Sequence, residues 1–135
     1  MQDRFRLKFW DKTCKNIVYP SEDLIYKTEN SRLDISGMLC SERFIPLQCT
    51  GLKDKNGKLI YEGDIVQVPN NWDEFGMMSG ERREVYFYEG GFRLKPRRIG
   101  RDRGYWLEDV ENFEVIGNIY ENPGLLESSN VNIQS

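Results

Sequence analysis

Residues 50–66, TGLKDKNGKLIYEGDIV, carry the signals that decide the fold. Asn56-Gly57 lies between Leu47–Asp54 and Leu59-Ile60-Tyr61, two runs able to extend. That dipeptide favours the positive φ of a type I′ or related hairpin turn. Gly63-Asp64 then breaks the chain: glycine bends without a Cβ penalty, and the aspartate can accept a backbone N–H in an Asx-type turn. Ile65-Val66-Gln67-Val68 follows as a strand rich in β-branched residues. Lys53, Asp54, Lys55, Lys58, Glu62 and Asp64 crowd the stretch, yet hairpin geometry accounts for them. They are expected on turns and solvated outer faces rather than around a reacting group.

Outward from this hairpin the chain continues in short strands. In RFRLKFW (4–10), Phe5, Leu7 and Phe9 alternate with Arg4, Arg6 and Lys8, the period of a half-buried strand with one polar face. Asp11 to Asn16 reads as a turn and Ile17-Val18-Tyr19 as the returning strand. Ser21-Glu22-Asp23 offers a cap for a short helical turn, and Leu33 with Ile35 suggests a short strand ending at Gly37. Phe44 to Cys49 reads as extended. Pro46 has no N–H for a ladder, which places it at a sheet edge or a strand start. Residues 69–83, PNNWDEFGMMSGERR, hold Pro, Asn and Gly without a period and predict a long loop. Glu84–Tyr88 and Phe92–Lys95 flank Glu89-Gly90-Gly91 as a second hairpin. Glu108 to Asn112 suits a helical turn, and Phe113 to Tyr120 a strand in which Gly117 marks a bulge or a close backbone approach. Asn122-Pro123 fits an N-cap followed by the first helical position.

Many short strands with only scraps of helix predict a mainly β, antiparallel architecture. A strand, a Gly-Asp bend, an Ile-Val-x-Val strand, a hairpin and a closing strand suit a small Src-homology-3-like barrel over 50–121, with 69–83 as its long loop. Residues 1–49 are expected as a β-rich attachment packed on the barrel, and 122–135 as a short helical turn with a frayed tail.

Composition narrows the function. The 135 residues are 39% hydrophobic and 30% charged, a globular mixture, and the formal net charge is −3. Histidine is absent, which removes the commonest general base, metal ligand and partner of a nucleophile. Cys14, Cys40 and Cys49 form no CxxC pair and read as plain buried or half-buried thiols, so neither a metal nor a disulfide framework is expected. No apolar run is long enough for a membrane span, and the start lacks the apolar core of a signal peptide. The expectation is a protein of a reducing cytoplasm without a cofactor.

RFRLKFWDK near the start, TGLKDKNGKLIYEGDIV in the middle and FEVIGNIYENPGLL near the end resemble, in that order, the YopX family of small bacteriophage and prophage proteins. The resemblance implies a Src-homology-3-like β barrel, a phage or prophage origin and expression in the cytoplasm of a bacterial host. It brings no catalytic residue, because the family's biochemical function is not established. Loop 69–83 and the Arg-rich 93–103 depart from the family's more compact pattern, so a function placed on either would belong to this member.

Three kinds of site compete. Arg93, Lys95, Arg97, Arg98, Arg101 and Arg103 give residues 93–103 six cations against Asp102, and Tyr105 and Trp106 nearby could stack bases, the footprint of nucleic-acid contacts. The acidic run Glu108, Asp109, Glu111 and Glu114 would neutralise them in a plain solvated surface. Trp72, Asp73, Glu74 and Phe75 form a second candidate, a protein-contact loop, with Tyr86, Tyr88 and Tyr105 as further aromatics of a groove. Catalysis is the third. Glu62 with Asp64, or Asp73 with Glu74, could pair as acid and base, but neighbours on a strand point to opposite faces, and no histidine could activate a cysteine. Gly90-Gly91 lacks the ending of a phosphate loop. The reading is therefore a non-enzymatic module that binds a protein partner or its own copies, by edge pairing of a strand such as 44–49, with a nucleic-acid-binding accessory factor as the alternative.

Overall fold

The computed structural model describes residues 6–20, 25–27, 32–70, 80–95, 105–107 and 110–126. Among these the chain is mainly β. The strands are β1 (Leu7–Asp11), β2 (Asn16–Val18), β3 (Ile25–Lys27), β4 (Arg32–Asp34), β5 (Phe44–Lys53), β6 (Leu59–Tyr61), β7 (Asp64–Gln67), β8 (Arg82–Tyr88), β9 (Gly91–Leu94), β10 (Tyr105–Trp106) and β11 (Glu114–Asn118). One helix, α1 (Ile35–Cys40), and a 3-10 turn at Val110–Asn112 complete the described elements. Every pairing is antiparallel. A four-stranded sheet has the order β2-β1-β5-β6, a five-stranded sheet the order β10-β9-β8-β7-β11, and β3 pairs with β4 alone.

Strand alternation sorts the side chains into two cores. Leu7, Phe9, Val18 and Phe44 lie on one face of the first sheet with Met38 of α1. Helix α1 replaces the end of the strand expected through Ile35: pairing stops at Asp34, and the turn of helix brings Met38 into full burial. The second core gathers Ile60, Val66, Val68, Val85, Leu94 and Phe113. Each such side chain contributes roughly 1.5–3 kcal/mol on leaving water. Long β5 pairs with β1 over 44–48 and with β6 at Cys49 and Lys53, where the register shifts. Among the described strands only β1 pairs with β5 over 44–48, since β6 meets it at Cys49 to Lys53, so this stretch is the start of the strand with one side left as an edge. Pro46 is accommodated because its Phe9 partner falls between the bonded positions marked by Cys49 N–H to Arg6 O and Lys12 N–H to Arg43 O. The missing N–H thus points away from β1.

The Asn-Gly hairpin forms, but as a different turn. Gly57 has φ +79°, while Asn56 is not among the positive-φ residues. Gly57 N–H donates to Asp54 O and Asp54 N–H to Lys58 O, the pattern of a type I turn closed by a glycine bulge. Asp54 decides between the two. Its Oδ1 accepts the N–H groups of Asn56 and Lys58, which requires Asn56 to curl right-handed. Asp54 is 5% exposed rather than solvated, and its Oδ2 accepts the Val115 N–H at 2.9 Å. Burial pushes this carboxyl up, but the Val115, Lys58 and Asn56 N–H groups outweigh it and hold the pKa below the ordinary value. The type I′ turn appears instead in the second hairpin, where Glu89 (φ 47°) and Gly90 (φ 84°) join β8 to β9.

Two glycines stand where close approach requires them. A Cβ on Gly63 (φ +89°) would meet Tyr120 Cε2 at 3.2 Å. At Gly117 the β11–β7 register shifts, as the expected bulge requires, and a Cβ would sit 2.5 Å from Asn122 Oδ1. That oxygen accepts the Asn118 N–H, so Asn122 turns back onto β11 instead of capping the helical turn at 124–126.

These contacts rank two substitutions. Gly57→Val meets no atom within 4 Å, so its cost is the backbone alone, about 1 kcal/mol. Asp54→Ala leaves three N–H groups without their acceptor, at about 1–3 kcal/mol for each one that water does not reach. Urea denaturation should therefore show the larger loss for Asp54→Ala.

Candidate functional site

Two surfaces bring together side chains with recognisable binding chemistry. The first is the seam between the sheets. Lys8, placed by alternation on the polar face of β1, is 4% exposed and donates to Asp64 Oδ1 at 3.0 Å, while its Nζ lies 4.4 Å from the centroid of the Tyr61 ring. Asp64 Oδ2 accepts the Tyr61 N–H at 2.8 Å. Burial raises the Asp64 pKa, and Lys8 and the Tyr61 N–H pull it back. Both charges thus serve structure. Beside them Trp10 and Tyr120 stack with ring centroids 5.5 Å apart and planes 22° apart. Tyr19 follows β2, and the Phe9–Val18 register, carried one residue further, sets it opposite Lys8. It is 63% exposed. Partial desolvation raises its phenol, and the Asp64 and Glu121 carboxylates add to the effect. Tyr120 is raised by burial and then by Glu62 and Glu84.

The second surface is the β8–β9 hairpin. Tyr86 and Tyr88 occupy one face of β8 and stack at 5.8 Å. Lys95 Nζ lies 5.8 Å from the Tyr86 centroid and the Arg93 guanidinium 6.0 Å from that of Tyr88. Arg93 is buried at 7% exposure and donates Nε to Tyr88 O, and Lys95 stands 3.6 Å from Glu84. Phe87 points to the other face, edge-to-face with Phe92 at 5.3 Å, and is half exposed.

Of the residues singled out in the sequence, Arg93 and Lys95 fall on this hairpin beside Tyr86 and Tyr88. Trp72, Asp73, Glu74 and Phe75, and likewise Arg97, Arg98, Arg101 and Arg103, lie outside the described residues. Tyr105 and Trp106 form β10, in register with Leu94 and Arg93. Glu62 and Asp64 do not pair as acid and base, since Asp64 is bound to Lys8 and the Tyr61 N–H. The three thiols are free, but Cys14 and Cys40 are exposed and Cys49 alone is buried as expected. Among the described residues no group of three His, Cys, Asp or Glu is placed to hold a metal, and no helix is long and apolar enough to cross a membrane. Sequence reasoning missed Trp10, Tyr19 and Tyr120. Register could have set Tyr19 against Lys8, but nothing local announces that Trp10 meets a ring 110 positions away.

The architecture thus defines a two-sheet antiparallel protein with aromatic surfaces and internally paired charges. The chain belongs to the YopX protein family, which it matches over residues 4–127. It is 36% identical over 75 residues to the SPbeta prophage-derived uncharacterized protein YopX of Bacillus subtilis, a match covering 53% of this chain and 52% of that protein, so the matched stretch spans about half of the curated relative. The crystal structure of Bacillus subtilis YopX superposes with a TM-score of 0.58 at 19% identity, covering 91% of this chain and 98% of the other. That of protein EF1440 from Enterococcus faecalis gives 0.55 at 24% identity, covering 90% and 96%. These two likenesses establish the fold.

Two electrostatic outcomes follow. Lys8→Met leaves Asp64 buried without its counter-ion and should cost about 3–5 kcal/mol in chemical denaturation, part of it recovered in Lys8→Met/Asp64→Asn, which keeps an acceptor for Tyr61. Fully buried Asp11 receives two guanidinium bonds from Arg43, at 2.9 and 2.8 Å, and the Thr13 and Cys14 N–H groups. Arg43 above all lowers its pKa from 3.8 to about 2. A depressed carboxylate stabilises the fold above its unfolded pKa, so this contribution, on the order of 2 kcal/mol, is present above pH 4 and fades as pH falls towards 2. Asp11→Asn should remove that part of the acid slope of stability.

Proposed function

We propose that this chain is a prophage-encoded, non-enzymatic binding module that holds a protein partner through the β8–β9 hairpin. The observation that carries the reading is the exposure of Phe87 (50%) and Tyr88 (42%), adjacent residues on opposite faces of a hairpin closed by a two-residue turn. Each ring is backed by a second aromatic, Phe92 or Tyr86, so it is held in place before any partner arrives. Such anchors, tyrosine above all, dominate protein interfaces. The prophage origin rests on the YopX relative. The non-enzymatic part is supported by the buried carboxylates: Asp11, Asp54 and Asp64 each spend their oxygens on Arg43, Lys8 or backbone N–H groups. Self-association by edge pairing of 44–49 has less support, because Pro46 offers no N–H on the side of β5 that faces away from β1. Nucleic acid is the competing occupant, since two cations overlie the stacked tyrosines.

Affinity capture from infected host cells, with and without nuclease, tests this. A partner that survives nuclease and binds at least roughly tenfold more weakly to a folded Phe87→Ser/Tyr88→Ser variant is expected. Loss of every partner on nuclease treatment would transfer the hairpin to nucleic acid, and undiminished binding by the variant would remove it as the contact.

A further inference from the structure

The seam offers chemistry opposite in sign to the hairpin. Trp10 and Tyr120 are half-buried and stacked, Tyr19 stands largely in solvent, and Glu62 and Glu121 flank them in sequence and charge. Lys8 neutralises Asp64, and Glu62 and Glu121 set two carboxylates at the rim against Arg6, whose charge also reaches Tyr61. Glu121 Oε1 accepts Asn118 Nδ2 at 2.9 Å, which fixes the carboxylate at the end of β11. Lys8 over Tyr61 shows how this environment treats a cation: the ring face and a carboxylate hold it together.

We propose that the rim of this seam receives the guanidinium of an arginine on a protein partner, with Tyr19 and the Trp10–Tyr120 stack as its aromatic walls and Glu121 and Glu62 as its counter-charge. Arginine fits better than lysine because its planar, weakly hydrated head stacks on an aromatic face while its N–H fork reaches a carboxylate. A polyanion is disfavoured by the same charges. This inference rests on the reading of the chain as a protein-binding module but not on the hairpin being the contact.

The test uses the full chain labelled with nitrogen-15 and titrated with a blocked tri-arginine peptide and its citrulline counterpart, which keeps the shape and loses the charge. The expected shifts centre on the Trp10 indole N–H and the amides of Tyr19, Tyr120 and Glu121, with citrulline at least about fivefold weaker. Removal of one cation–aromatic contact or one counter-charge should weaken binding by about threefold to tenfold in Tyr19→Ala and in Glu121→Gln. Glu111→Gln removes the same charge from the exposed 3-10 turn and should change little. Equal losses for Glu111→Gln and Glu121→Gln, or retention in Tyr19→Ala, would reduce the effect to the chain's net charge. No seam shifts at millimolar peptide would leave these rings as a closed structural contact. Either result overturns the seam as a receptor while the capture experiment on the hairpin stands by itself.

Discussion

A buried ion pair ties the two sheets together, beside the Ile60 packing and the Asp54–Val115 bond that also join them. Lys8 comes from β1 and Asp64 opens β7, 56 positions later, and both are almost wholly removed from water. An isolated charge there would cost several kcal/mol, so neither residue tolerates burial without the other. Such a pair adds little net stability compared with an apolar pair of the same size. What it adds is register. The Lys8 ammonium must meet Asp64 and the Tyr61 ring together, which also sets Gly63 against Tyr120 and Tyr120 against Trp10.

Asx side chains perform a second task, closing strand positions that no neighbouring strand reaches. Val115, Tyr61 and Asn118 each aim an N–H away from their ladder partners, and Asp54, Asp64 and Asn122 supply the acceptors. Open edges invite pairing with another chain. Pro46 offers no N–H on the side of β5 that faces away from β1, and β11 is met by Asp54 and Asn122, so both of these edges are blunted.

The legible part of the fold was local. Alternation in 7–10, the Asn-Gly and Glu-Gly turns, Gly63 and the Gly117 bulge all rest on backbone preferences carried by a few neighbouring residues. Three readings failed where a distant group outweighed a local rule. Lys8 looked solvated because alternation cannot see Asp64. Asn56 looked left-handed because its dipeptide favours that, while the Asp54 carboxylate draws it into a type I turn. Ile35 looked like strand because its β-branched side chain suits one, yet α1 places Met38 in the first core. The candidate sites were less legible: Tyr86, Tyr88, Arg93 and Lys95 were visible as types, but their meeting on one hairpin face depends on the β8–β9 register.

The two aromatic surfaces differ in what already occupies them, and this separates their chemistry. On the hairpin the cations belong to the protein: Arg93 donates to Tyr88 O and lies over its ring, and Lys95 lies over Tyr86 near Glu84, so the face presents ring area edged by positive charge. That ring area suits an apolar anchor on a partner, where affinity comes from excluding water. At the seam Lys8 is taken up by Asp64, while Glu62 and Glu121 act on Tyr120 and Tyr19, with Arg6 as a further cation that reaches Tyr61. Electrostatics there favours a positive side chain at distances beyond contact, so it steers an encounter as well as holding it. A partner that placed an apolar residue on the hairpin and an arginine at the seam would use both surfaces without setting like charges against each other.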